Sequence, residues 1–232
     1  MRGLWSSAAL VARVAVRLGS VRTRTTSLGV ALSLALLLLP PTRVVADEPS
    51  AMIASAEAAY TRGALREANR LFLQALRQPG HERAELVRIH LHLGILAGAM
   101  GAERTARSHF AIALALDPTL GAPPELAGRD RSRFEQERPA RALSLSVEAL
   151  SEDTGPALLV RAQNAPPRLV ARIEARCGEA ALPTTPAGRG DPSAVRVSVG
   201  SAACAGIELL AFDVHGGVLA REHHAASGQE AP

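Results

Sequence analysis

The chain has 232 residues, 47% hydrophobic, 21% charged and 3% aromatic, a balance that excludes a disordered or collagen-like chain. Its 26 basic residues, all arginine, exceed 22 acidic ones. The excess is local: Arg2, Arg13, Arg17, Arg22, Arg24 and Arg43 fall in the first 46 residues, where there is no acid, leaving 20 arginines against 22 acids in the rest. A nucleic-acid surface needs phosphate-neutralising charge clustered on the working domain, so this distribution argues against nucleic acid as a partner.

The first 46 residues have the three parts of a secretory signal. A basic region reaches Ser27, an apolar run LGVALSLALLLL covers Leu28–Leu39, and Val44-Val45-Ala46 offers small residues for cleavage before Asp47. An apolar run of this length falls short of the roughly 20 residues that a membrane-spanning helix needs, and no cysteine follows it to accept a lipid. The expectation is a periplasmic or secreted protein of a Gram-negative envelope, with no stable membrane insertion once the leader is removed.

From Pro49 the apolar spacing is helical. In the best-defined stretch, Leu86, Ile89, Leu93, Leu96 and Met100 recur at threes and fours, Gly101 interrupts, and Ala106, Phe110, Ala113 and Leu114 form a second stripe. Asp117-Pro118 stops it, since proline cannot continue a helix and biases its predecessor away from helical geometry. Counted from Val87, small residues stand at positions eight (Gly94), twenty (Ala106) and twenty-seven (Ala113), with Phe110 at twenty-four and Pro118 at thirty-two. Counted from Pro49, an upstream stretch repeats the scheme with Ala56, Gly63 at the turn, Ala68, Phe72 and Ala75. These spacings resemble the tetratricopeptide repeat, a helix–turn–helix unit of 34 residues. The step from Ala68 to Ala106 is 38 residues, and the four extra ones are placed at His81–Ala84, between the units.

Two such units fill 47–120. Residues 121–141 follow, Pro/Gly-flanked, with one short polar helix around Asp130–Arg138 that Pro139 ends. A solenoid needs a polar cap over its last repeat, and this segment is either that cap or a bare linker.

From Ala142 the period becomes two. Leu143–Leu150, Ala157–Gln163, Leu169–Cys177, Ala194–Gly200, Ile207–Val214 and Val218–His224 read as strands. Turn clusters separate them at Ser151–Pro156, Asn164–Arg168 and Pro183–Ser193, and Gly216-Gly217 closes a hairpin. The expected fold is α+β and multidomain: helical repeats, then a small antiparallel β-sandwich over 142–226 and a tail over 227–232. The sandwich is similar to an immunoglobulin- or fibronectin-type module, above all in AFDVHGGVLARE. The buried Trp of a true immunoglobulin domain is missing, since the only Trp is Trp5.

Cys177 and Cys204 are the only cysteines. An even count in an exported domain points to a disulfide, worth about 3–4 kcal/mol in the loop-entropy model. The histidines are not arranged for metal: His90 and His92 lie two apart on a helix and point in different directions, and His223 and His224 adjoin a polar tail. No zinc-ligand spacing, nucleophile elbow, phosphate loop or dinucleotide fingerprint occurs. Arg189-Gly190-Asp191 reads as part of a Gly/Pro loop. The expectation is therefore no catalytic residue, no metal and no cofactor.

The resemblance implies a binding scaffold rather than an enzyme. In that family the concave face is lined by first-helix positions two, five, nine, twelve and thirteen, which here include Ile53, Glu57 and Tyr60, then Arg88, Leu91, Ile95 and Gly98. Leu91 and Ile95 stand where carboxylate-gripping members place Lys, Arg or Asn. The face should hold an apolar helix or strand, a partner's or the chain's own after Leu120. The partner is thus expected to be a protein or peptide. The alternative is a β-sandwich that binds envelope polysaccharide, disfavoured because Phe212 is the only aromatic after Phe134.

Overall fold

Among the described residues the apolar periods resolve into five helices followed by eight strands. The computed structural model describes residues 48–225 except 140, 153–154, 189–190, 200–203 and 205. The expected leader and tail lie outside them.

Helices α1 (Glu48–Thr61) and α2 (Leu65–Leu76) form one hairpin, and α3 (Arg83–Ala99) and α4 (Glu103–Leu116) a second. Each turns on a glycine in the left-handed region, Gly63 (φ 75°) and Gly101 (φ 76°), where a side chain would be strained. The small residues sit where the helices cross. Ala56, Ala68, Ala75, Ala106 and Ala113 are fully buried, and a Cβ on Gly94 would lie 2.4 Å from Cε1 of Phe110. Met100 is a correction to the expected stripe: α3 ends before it, and its side chain is 48% exposed. The short helix α5 (Gly128–Gln136) lies against α4, with Phe134 fully buried edge-on to Phe110 at 5.4 Å.

The strands are β1 (Ser144–Glu152), β2 (Gly155–Gln163), β3 (Arg172–Cys177), β4 (Ala180–Ala181), β5 (Thr184–Pro186), β6 (Ala194–Ser198), β7 (Gly206–Phe212) and β8 (Val218–Ala225). They form two four-stranded sheets, ordered β1-β2-β6-β5 and β4-β3-β7-β8, with every pairing antiparallel. All six expected strands are present. The two additions are β4 and β5, and β5 falls inside a segment expected to be only turn. Both are short and exposed on every residue, so neither shows an alternation. Leu145, Leu158, Val160, Val195 and Val197 of one sheet share a core with Ile173, Ala175, Ile207, Leu209, Ala211 and Leu219 of the other. Cys177 and Cys204 are bonded, with Cα atoms 5.8 Å apart.

The helices and sheets belong to one compact unit. Leu86 and Val87 of α3 and Leu116 of α4 enter the sheet core. The backbone N–H of Val218 donates to the carbonyl of His81 (2.8 Å), and that of Leu143 to Ala115 (2.7 Å). The Arg83 guanidinium donates to the carbonyls of Leu116 and Leu143. His81 is 1% exposed, and its Nε2–H donates to the Ala75 carbonyl at 2.7 Å. The extra residues between the two helical units are thus where the sheets are fastened on.

Candidate functional site

The side chains proposed for a concave face come from α1 and α3, and they do not share one environment. Ile53 is fully buried in the helical core with Phe72, Ile89 and Leu93, so it supports the face from beneath and offers no open surface. Glu57 and Arg88 meet across the two helices: Arg88 Nη2 donates to both carboxylate oxygens at 2.7 Å, with side chains 30% and 50% exposed. A pair this wet contributes little stability; it fixes the orientation of the two side chains. Next to it, His92 stacks on Phe72 (4.8 Å) and meets Tyr60 edge-on (5.3 Å).

Leu91, Ile95 and Gly98 lie further along α3. Leu91 and Ile95 are half-buried against a cluster that holds Phe110, Leu114, Leu126 and Phe134. A Cβ on Gly98 would stand 3.3 Å from the Asp130 carboxylate. The covering material is therefore the chain's own segment after Leu120. Within it Leu126 is 4% exposed, Leu120 and Ala122 are half-buried on the same cluster, and Pro124 and Glu125 face outward. Burial first, and then the Glu125 carboxylate, push the Tyr60 phenol above its ordinary pKa.

This strap is fixed at both ends. Arg138 donates to the carbonyls of Pro118 and Leu120. Beyond it, α5 is held by buried Phe134 and by ion pairs of Arg133 with Glu103 and of Arg107 with Glu137. Arg133 also donates to Asp130 at 2.7 Å, which orients that carboxylate beside Gly98. Leu126, Glu125 and Asp130 were not among the residues expected at this face. The one signal for them was an isolated leucine in an otherwise Pro/Gly/polar stretch.

His90, 5% exposed on α3, turns to α4, where its Nδ1 lies 2.9 Å from Nδ1 of His109. One nitrogen must carry the hydrogen and the other accept it, so the pair is neutral. Burial, then His109 and His215, lower the His90 pKa from 6.5 to about 3, and burial lowers that of His109. At the fastening of the sheets, burial pushes the Glu85 carboxyl up. Hydrogen bonds from Ser50, the Glu82 N–H and His81 outweigh it, and the net pKa is lowered.

Among the described residues, no three His, Cys, Asp or Glu side chains group to hold a metal ion, and no helix is long and apolar enough to cross a membrane. Arg189 and Gly190 lie outside the described residues; Asp191 accepts the backbone N–H of Ser193 at 2.9 Å, closing a turn. A second concavity, a cleft of about 730 Å³, opens between sheet connections and is lined by Asn164, Arg168, Asp191, Ser193, Val170 and Val214. Asn164 and Arg168 both have left-handed backbones there (φ 58° and 64°). Phe212 does not reach a surface: it is 7% exposed, under the Arg172 guanidinium at 4.2 Å.

Comparisons of the chain with protein-family models, with curated proteins and with solved structures found no match.

Proposed function

We propose that this protein is an exported, non-enzymatic interaction scaffold, and that its helices, tetratricopeptide-like in spacing, bind a segment of a protein partner on the α1/α3 face. One observation carries the reading: that face already holds a proline-bearing turn of the chain itself through apolar side chains. It therefore has the shape and chemistry such a ligand needs. The bonded cysteines agree with an oxidising compartment, and the basic, apolar and small-residue order of the first 46 residues supplies the export route.

The test is site-specific photo-crosslinking in a Gram-negative cell that exports the full chain. A photoreactive residue at Leu91 or Arg88 should yield a discrete adduct with a second protein, absent when the same residue stands at Glu148 on β1. Equal adducts from both positions, or none from either, would remove the scaffold reading.

A second reading rests on the cleft beside Asn164 and Arg168, whose polar lining favours a hydrophilic ligand such as envelope polysaccharide. No aromatic side chain lines that cleft for a sugar to stack on, which places this reading second.

A further inference from the structure

The strap differs from the rest of the fold in how it is held. Its side chains join the cluster on which Leu91 and Ile95 of α3 pack, and its backbone bonds to a helix only at its end, where the Ala127 carbonyl accepts the Asp130 N–H of α5. The backbone hydrogen bonds it makes are short-range, from Leu120 N–H to Asp117 and from Leu126 N–H to Pro123. One side chain in the segment, Leu126, is buried to 4% exposure, while Pro124, Glu125 and Ala127 are exposed. Its two ends are fixed by other contacts, at Arg138 and at Phe134, so lifting the middle leaves α4 and α5 in place. Pro123-Pro124 excludes helix, and the Leu126 N–H bond to the Pro123 carbonyl closes a turn over Pro124 and Glu125 that the fixed proline φ helps to preset.

We infer that Gly121–Ala127 is a built-in competitor for the α1/α3 face, and that the partner segment is of the same kind: a proline-bearing turn anchored by one aliphatic side chain two residues after the last proline. This rests on the scaffold reading above. A segment seated chiefly by one leucine, with only local backbone bonds, opens locally at low cost. Because it is tethered, it acts at an effective concentration of about millimolar. The apparent affinity for any ligand in solution falls by the fraction of molecules in which the face is open. Ligand chemistry and self-inhibition then follow from the same contacts: Leu126 on the surface that includes Leu91 and Ile95, and Glu125 near the Tyr60 phenol.

The probe is a labelled peptide carrying the chain's own residues 119–128, titrated by fluorescence anisotropy against the mature protein with its disulfide intact. Wild type should bind it weakly. Leu126→Ser, which empties the anchor position, should bind it at least about tenfold more tightly. A peptide with its leucine changed to serine should bind neither protein, and Leu126→Ser combined with Ile95→Ala should lose the gain. If Leu126→Ser melts normally yet binds the peptide no better than wild type, the inference is overturned. Should that variant fold poorly, the milder Leu126→Ala is read in the same assay, and again an unchanged affinity overturns the inference. The two readings fail separately. Tight peptide binding to the opened protein without any crosslinked partner removes the scaffold reading alone. A partner crosslinked equally to wild type and Leu126→Ser, with no peptide binding, removes the competitor alone.

Discussion

Two segments interrupt the regular stacking of the helices, and they are held in opposite ways. The connection around His81 is held by hydrogen bonds that each use a backbone group. Its carbonyl accepts from Val218, its imidazole donates to Ala75, and the neighbouring Arg83 bridges two further carbonyls. The strap over α3 is seated on it by side chains, chiefly Leu126. Backbone groups cannot be exchanged for those of another chain without unmaking the element that supplies them. An aliphatic side chain on a surface can be replaced by any similar one. The first arrangement builds an architecture, and the second builds a site.

The comparison breaks first if the surface under the strap is not rigid. Gly94→Leu forces a Cβ into a space where Phe110 would be 2.4 Å away. It should cost about 3 kcal/mol, the upper part of the range for overpacking, and lower the melting temperature by about 6–12 °C. A melt that does not move would mean that α3 and α4 slide past each other, and a sliding face cannot present a defined groove.

It sharpens at His81. His81→Ala removes a buried imidazole and its hydrogen bond to the Ala75 carbonyl, which keeps the bond from the Gln78 N–H; the lost bond and the cavity together should cost about 2–3 kcal/mol. Urea unfolding should register the loss, and the peptide of the preceding test should bind as it does to wild type. Tighter peptide binding in this variant would show that the two segments are coupled rather than independent.

The smallest effect comes from acid. The folded pKa of His90 lies below its unfolded value, about 3 against 6.5, so the unfolded chain binds more protons between those limits. Stability is then fully present above pH 6.5 and falls as pH drops toward about 3. By pH 5 the loss should reach about 2 kcal/mol in wild type, and it should be smaller in His90→Gln. An identical slope in both proteins would show that the His90–His109 contact does not set the acid sensitivity.

Much of the architecture was legible in the chain because it rests on local periods. Leu86, Ile89, Leu93 and Leu96 mark α3, Gly63 and Gly101 mark the turns, and six alternating runs mark six strands. What escaped was set by distance in the sequence. Nothing near His81 announces a bond to Val218, and nothing near Gly98 announces Asp130. Ile53 obeys the spacing of a groove position, yet the neighbouring hairpin covers it completely. Leu91 and Ile95 are half-buried against the cluster that Leu126 joins, as aliphatic side chains that are costly to leave bare in water. Glu125 and Leu126 could not be assigned to the face, because a Pro/Gly-rich stretch carries no period that says which way it turns.

The order of the sheets has a bearing on how copies of this chain meet when they are crowded together. Each sheet ends on one side in a strand of two or three residues, β4 or β5, and β5 closes on Pro186, which has no N–H to offer. The long outer strands, β1 and β8, lie beside each other. Open ladders are what let sheets of separate molecules zip together into aggregates, and here one side of each sheet is too short to serve as a template, while on the other the two long edges neighbour each other. The helices are where we propose a foreign segment is accepted; the sheets are poorly made for accepting one.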